Sequence, residues 1–512
     1  MSKPGREDLG KSRVRETPRW LLVGLMPLIL ALPASAQTPS GAAAALSPQT
    51  RECLDCHGDF HPGIVADWQS SRHAGTTPAA ALELPPLERR ISNPEVPAAL
   101  RQVAVGCYEC HSLNPERHAD NFEHFGFRIN IVVSPADCRT CHAEEADQYA
   151  GSKKAHAVAN LAENPLFHQL SETTLANQEV REGKLHARPA TDATRNQTCY
   201  SCHGARIEVQ GEREVEVDGE VVSLPQLSNW PNQGVGRINP DGSKGACTAC
   251  HPRHSFSIAI ARQPYTCGQC HHEPDSPAFE VYEESKHGNI FSTQQAEWNW
   301  SAVPWRVGRD FRAPTCAACH NALLATPEGK PIALRTHDFG ARMWVRIFGL
   351  PYAHPQPAAG QTHLLKNADG QPLPTTLAGV PAAEGLIDPS EQARRQRGMA
   401  RVCQSCHGAL WVQGHFSRLD NAVVQTNQMT LAATQLMQGA WDRQLADPAN
   451  LFDEPLERQW VEVWLFHATS ARYGAAMGGA GHATFKLGWW DMNATVGEME
   501  HVIHQESGKA GK

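Results

Sequence analysis

The chain has 512 residues, 46 of them Lys or Arg and 54 Asp or Glu, giving a modest net charge of −8 with both signs spread along its length. No basic stripe alternates with aromatic residues, so nothing supports nucleic-acid binding. The 16 cysteines and 26 histidines exceed ordinary usage and direct attention to chemistry that uses thiols and imidazoles together.

In chain order, residues 1–36 read as an export signal: Lys3, Arg6, Lys11, Arg13, Arg15 and Arg19 precede an apolar run from Trp20 to Leu32, then Ala34, Ser35 and Ala36. Cleavage after Ala36 would leave Gln37 first and place the chain in the periplasm. The apolar run falls short of the about 18 residues of a comfortable span, which leaves an uncleaved anchor as the weaker alternative. Residues 37–52 form a flexible lead-in, rich in Ala, Gly, Ser and Pro up to Ser47. Residues 53–425 carry every cysteine and make the core; residues 426–505 follow as a helical region.

All 16 cysteines fall in CxxCH motifs: Cys53, Cys56 and His57; Cys107, Cys110 and His111; Cys138, Cys141 and His142; Cys199, Cys202 and His203. The second half adds Cys247, Cys250 and His251; Cys267, Cys270 and His271; Cys316, Cys319 and His320; Cys403, Cys406 and His407. Two thiols three positions apart can form thioethers to the two vinyl groups of one haem, and the next His reaches the iron. Disulfides and structural zinc also use paired cysteines, but neither requires His after every pair. Eight motifs therefore predict eight covalently attached c-type haems. Motif starts lie from 20 residues apart (Cys247 to Cys267) to 87 apart (Cys316 to Cys403), which excludes a solenoid of equal repeats.

A haem that only transfers electrons wants a second strong axial ligand, and the eight proximal His leave 18 of the 26. Seven sit in contexts that read as placed: His73, His118, His156, His254, His287, His337 and His415. His124 is next in line should His118 be engaged elsewhere. On that count one iron of eight keeps an open face.

The remaining elements are sparse. Val215 and Val217 alternate with charge up to Asp218-Gly219 and Val221 resumes, a small hairpin; strand alternation is otherwise almost absent. Residues 351–389, rich in Pro, Gly and Ala, read as a long surface excursion. Beyond the last motif Trp460, Val463, Trp464 and His467 keep helical spacing, as do Met492, Val496, Met499 and Ile503. This stripe predicts core packing or a subunit contact. The expected fold is mostly α: a multihaem cytochrome c core with few short strands and a C-terminal helical region.

At this point the chain resembles the octahaem hydroxylamine oxidoreductase family. The strongest block runs from Trp230-Pro-Asn-Gln-Gly-Val-Gly-Arg-Ile-Asn-Pro-Asp-Gly through Cys247-Thr-Ala-Cys-His-Pro-Arg-His254-Ser-Phe to Cys267-Gly-Gln-Cys-His271 and Glu-Ser-Lys-His287-Gly. The resemblance implies homotrimers, a periplasmic or membrane-bound redox partner, and seven bis-His haems serving the fourth, on Cys199, Cys202 and His203, whose distal face takes a small nitrogen substrate.

Two departures bear on direction. Oxidising members cross-link that haem to a neighbouring subunit's tyrosine within a pattern like Met-x-Gly-x-Asp-Tyr, where this chain reads Met477-Gly-Gly-Ala-Gly481-His482. After the sixth motif the family's Pro-Asp-His-Pro is here Pro274-Asp275-Ser276-Pro277. Asp275 and His482 are the expected catalytic groups beside His203, with His482 either an acid reaching across the trimer or a ligand that closes the iron. The missing tyrosine implies reduction of nitrite or hydroxylamine towards ammonium. Oxidation of hydroxylamine or hydrazine, and electron transfer without substrate chemistry, are the alternatives.

Overall fold

The computed structural model describes residues 44–217 and 219–510; the expected export signal lies outside them. Helices make up 48% and strands 12%, the mostly α composition expected. Among the described residues, no helix is long and apolar enough to cross a membrane.

The first helix, Pro48–Phe60, opens on Ser47, whose hydroxyl accepts from the Thr50 amide at 3.0 Å. Residues 48–52 thus belong to the helix that carries the first motif, and the lead-in is shorter than the composition implied. Several motifs are themselves one-turn helices, Cys107–His111, Cys199–His203 and Cys316–His320. One turn sets cysteines three apart on the same side of the backbone.

The predicted hairpin forms from Val209–Val217 and Glu220–Leu227. Two more were missed, Asn121–His124 with Phe127–Asn130 and Asn177–Arg181 with Lys184–Arg188. Their turns, Phe125-Gly126 and Glu182-Gly183, have both residues at positive φ, the conformation that matches strand twist. Phe and Glu replace the Asn or Asp that would have signalled them.

Residues 351–389 are not a surface excursion. Tyr352, His354, Gln356, Thr375 and Ile387 are buried. The segment tolerates burial because it satisfies its own polar groups: the Asn367 side chain accepts from the amides of Asp369 and Gln371 and donates to the Thr375 carbonyl at 2.8 Å.

The helix Ala409–Asp442 begins before residue 426, so the C-terminal unit starts directly after the last motif. It packs with Pro455–Val461, the π-helical turn Glu462–His467, Ala468–Met477 and Trp489–Ala510. Their shared core contains Trp460, Val463, Trp464, Met492, Met499 and Ile503, the stripe seen in the sequence. Both flanking indoles are satisfied: Trp460 donates to the Thr434 hydroxyl at 2.9 Å and Trp441 to the Glu457 carboxylate at 2.8 Å.

Candidate functional site

None of the 16 cysteines is in a disulfide. Most of the motifs open onto one continuous cavity of about 2070 Å³, lined from Cys110 to His407. Its wall is mainly apolar, suited to macrocycle faces.

Three observations test whether these residues fit haem. The first is the second ring nitrogen of the proximal histidines. Nδ1 of His57 meets His61 at 2.9 Å, that of His111 the Asn130 carbonyl at 2.7 Å, that of His203 the Ala157 carbonyl at 3.4 Å and that of His271 the Ser276 hydroxyl at 3.2 Å. Such a partner fixes the ring and leaves Nε2 for a metal.

The second is facing imidazoles. Two rings bound through nitrogen at about 2 Å to one metal hold their centres roughly 6 Å apart. Ring centres are separated by 6.2 Å for His57 and His124, 6.2 Å for His142 and His73, 6.5 Å for His251 and His337, and 6.1 Å for His407 and His287. His254 lies near His111: burial first, then that imidazole, depresses its pKa.

The third is contact between motifs. The thiols of Cys53 and Cys107, Cys138 and Cys247, Cys202 and Cys270, and Cys267 and Cys316 lie close enough to perturb one another's titration. Each thiol marks the edge of its own macrocycle, so these contacts bring neighbouring edges together.

The distal set needs three corrections. Both ring nitrogens of His118 are taken by buried carboxylates, Asp120 at 3.2 Å and Asp137 at 3.1 Å. Burial opposes its charge, but the two carboxylates prevail and raise its pKa to about 10. A protonated ring cannot ligate iron, and His124 stands opposite His57 instead. His156 is not part of the cavity wall and turns Nε2 to the Ala150 carbonyl at 3.0 Å. His415 does line the cavity, yet its Nε2 meets the Ala476 carbonyl at 3.0 Å and its ring stacks on Trp411, which stacks on His407.

The fourth motif is clamped by the block that carried the resemblance. Amides of Val235, Gly236 and Ile238 donate to the carbonyls of Cys202, His203 and Ala205 at 2.9, 3.0 and 3.0 Å, and the Asn232 side chain donates to Tyr200 at 3.0 Å. A Cβ at Gly234 would sit 2.1 Å from the Gly204 nitrogen, so only glycine permits this approach.

Around His203 the cavity turns polar. Asp275 lines it within electrostatic reach of His203, and burial raises its pKa above the ordinary carboxylate value. Tyr473 and Arg346, neither singled out from the sequence, also line the cavity, with Tyr473 within electrostatic reach of Asp275. The Tyr473 hydroxyl is 3.5 Å from Ser276, and Arg346 is close enough to offset part of the rise that burial imposes on the phenol. Their only signal was a Tyr and an Arg in otherwise apolar surroundings.

His482 does not join this cluster. Its side chain is fully buried in its own chain, outside the cavity wall, with Nδ1 3.1 Å from the Ser470 hydroxyl and Nε2 3.3 Å from the Glu273 carboxylate. That last approach is out of line for a hydrogen bond. A ring so enclosed is not presented to a neighbouring subunit. It backs the loop bearing Asp275, and burial, partly offset by Glu284 and Glu273, lowers its pKa.

Two family models match parts of the chain: "Seven times multi-haem cytochrome CxxCH" over residues 239–325 and "Cytochrome c554 and c-prime" over residues 137–222. A solved structure described as a hypothetical multiheme protein is 42% identical with a TM-score of 0.87, covering 92% of this chain and 98% of that one. A reducing HAO-like protein complex of Kuenenia stuttgartiensis shares the fold at 18% identity and a TM-score of 0.58, over 90% of this chain and 86% of that one. A probable nitrite reductase-hydroxylamine oxidoreductase fusion protein of the same organism is 26% identical over 286 residues, 52% of this chain. The matched region is 25% of that relative, so the chain spans about a quarter of its length. Taken with the motif thiols and the facing imidazoles, these likenesses establish that the chain belongs to the multihaem cytochromes c and has a fold shared with hydroxylamine oxidoreductase-like proteins.

Proposed function

We propose that this chain is an exported, periplasmic oxidoreductase with eight haems that reduces nitrite or hydroxylamine towards ammonium at the haem of Cys199, Cys202 and His203. The observation that carries the reading is a run of polar groups leading away from His203: Asp275 lies within electrostatic reach of that ring, Tyr473 within reach of Asp275, and Arg346 within reach of Tyr473, all lining a mainly apolar cavity. Among the described residues, four motifs are joined to distal imidazoles by ring pairings; His203 and His320 are not, and of those two it is His203 that has Asp275 beside it. Of the two Kuenenia proteins, the reducing HAO-like complex supports the direction, while the fusion joins a nitrite reductase to a hydroxylamine oxidoreductase and is compatible with either.

A c-type haem at this motif supplies a redox-active iron with one face for a small ligand. The chain's own groups do the rest. Arg346 offers a positive charge to an anionic substrate. Asp275, kept more protonated than an ordinary carboxylic acid by burial, delivers protons to the substrate oxygen. Tyr473, tied to Ser276, orients the bound molecule. The closeness of Cys202 to Cys270, and of Cys267 to Cys316, would bring the groups held by the fourth, sixth and seventh motifs near enough to pass several electrons in succession.

A homotrimer and a periplasmic or membrane-bound donor complete the reading. Phe485 and Trp490 are exposed by 75% and 68%, leaving apolar area at the C-terminal unit for a subunit contact. Electron paramagnetic resonance of the oxidised protein should show a high-spin ferric signal that nitrite or hydroxylamine perturbs. Turnover should appear with reduced viologen and nitrite, and not with hydroxylamine and an electron acceptor. Eight low-spin haems indifferent to both compounds would sink the proposal, and turnover only in the second assay would reverse its direction.

A further inference from the structure

We infer that Lys154 is the distal axial ligand of the haem on Cys267, Cys270 and His271, an amine in the place where four other motifs face an imidazole. The inference needs a haem at the sixth motif but not the chemistry proposed at His203.

The chain repeats one local device three times. In Trp68-Gln-Ser-Ser71-Arg72-His73 and Tyr282-Glu-Glu-Ser285-Lys286-His287, an aromatic residue precedes a serine by three and a cation and a histidine follow it. The third copy reads Tyr149-Ala-Gly-Ser152-Lys153-Lys154. The backbone is the same in all three. The serine amide donates to the aromatic residue's carbonyl at 2.9, 3.0 and 2.9 Å, and its hydroxyl accepts from the amide three residues on at 3.2, 3.1 and 3.5 Å. In the first two copies the residue two after the serine faces a proximal imidazole, His73 opposite His142 and His287 opposite His407. The third copy puts Lys154 there.

Lys154 does what the device predicts. Its Nζ lies 3.5 Å from Nε2 of His271. Nδ1 of that ring is already held by Ser276 at 3.2 Å, so Nε2 is the iron-binding atom and Nζ stands on the far side of the iron position. Two axial bonds of about 2 Å each would separate the donors by roughly 4 Å, within half an ångström or so of what is seen. The side chain passes over the Phe339 ring, with Nζ 4.8 Å from its centre, which directs the amine into the cavity. His156, two residues further on, lies outside the cavity wall and does not compete.

The test counts spin states and leaves activity aside. Lys154→Arg keeps the positive charge but presents a guanidinium that stays protonated and cannot ligate. It and Lys154→Ala should each add one high-spin ferric haem per chain over wild type, at unchanged haem content, whereas Lys154→His should add none. An unchanged high-spin count in the Arg or Ala variant would overturn the assignment. Independently, reduced wild-type protein labelled with ¹³C-lysine should show one ε-methylene resonance shifted far upfield by the macrocycle's ring current. Lysine ε-methylenes all at ordinary shifts would refute it whether or not any variant matures.

Discussion

The region from the first motif to the last and the helical unit that follows it are built on opposite principles. Between Cys53 and His407 the motifs sit on helices of one or a few turns around a large cavity. Short helices cannot hold themselves together in water, so this region depends on what it binds. The unit from Ala409 onward has long helices around Trp460, Trp464, Met492 and Met499, a core that needs no cofactor. One chain thus joins a cofactor-templated half to a self-sufficient one.

The largest expected effect separates the two. Replacing Cys247 and Cys250 together by Ser, which removes attachment at the cavity's centre, should abolish amide-exchange protection across residues 107–320 while residues 409–503 stay protected. Equal loss in both regions would show that they fold as one unit. In the other direction, Trp464→Ala should cost about 3–5 kcal/mol of denaturant stability with haem content unchanged, because it empties a buried indole site.

His118→Gln probes the motif region without touching a ligand. Breaking a buried, hydrogen-bonded charge cluster costs about 3–5 kcal/mol. His118 is raised from 6.5 to about 10, so its contribution is full below pH 6.5 and fades as pH climbs towards 10. The stability gap between wild type and variant, read as the difference in denaturant midpoints, should therefore be widest in mildly acidic buffer and close at high pH. A gap that widens with pH would remove the charged cluster from the account.

Asp275→Asn should lower reductive turnover about a hundredfold with the spin-state count intact. Wild-type rate should fall as pH rises through the raised pKa of Asp275, and the variant should lack that limb. His482→Ala is the mildest, about 1–3 kcal/mol of stability from the lost Ser470 bond and no new high-spin haem. A new high-spin signal would restore it as a ligand.

The sequence exposed most plainly what is fixed by covalent spacing. Cys-x-x-Cys-His is complete within five residues, and the structure leaves the thiols of all eight copies out of disulfides. Distal partners come from remote segments, so spacing says nothing about them. His118 and His124 are six residues apart with similar neighbours, and only the fold shows that Asp120 and Asp137 claim the first. Lys154 escaped because the count considered imidazoles alone, although Ser152-Lys153-Lys154 repeats the grammar of Ser285-Lys286-His287. Residues 351–389 were correctly irregular and wrongly exterior, because composition registers the absence of regular structure but not the internal hydrogen bonding that permits burial.

The sixth motif touches two others with different cysteines, Cys270 with Cys202 and Cys267 with Cys316. In the language of networks it is a junction, and the fourth motif hangs from it as a terminal branch. On the proposed reading, traffic among the remaining stations need not pass through the pocket at His203, so a stalled or poisoned pocket would leave them conducting, while a fault at the junction would strand the pocket with its electrons cut off.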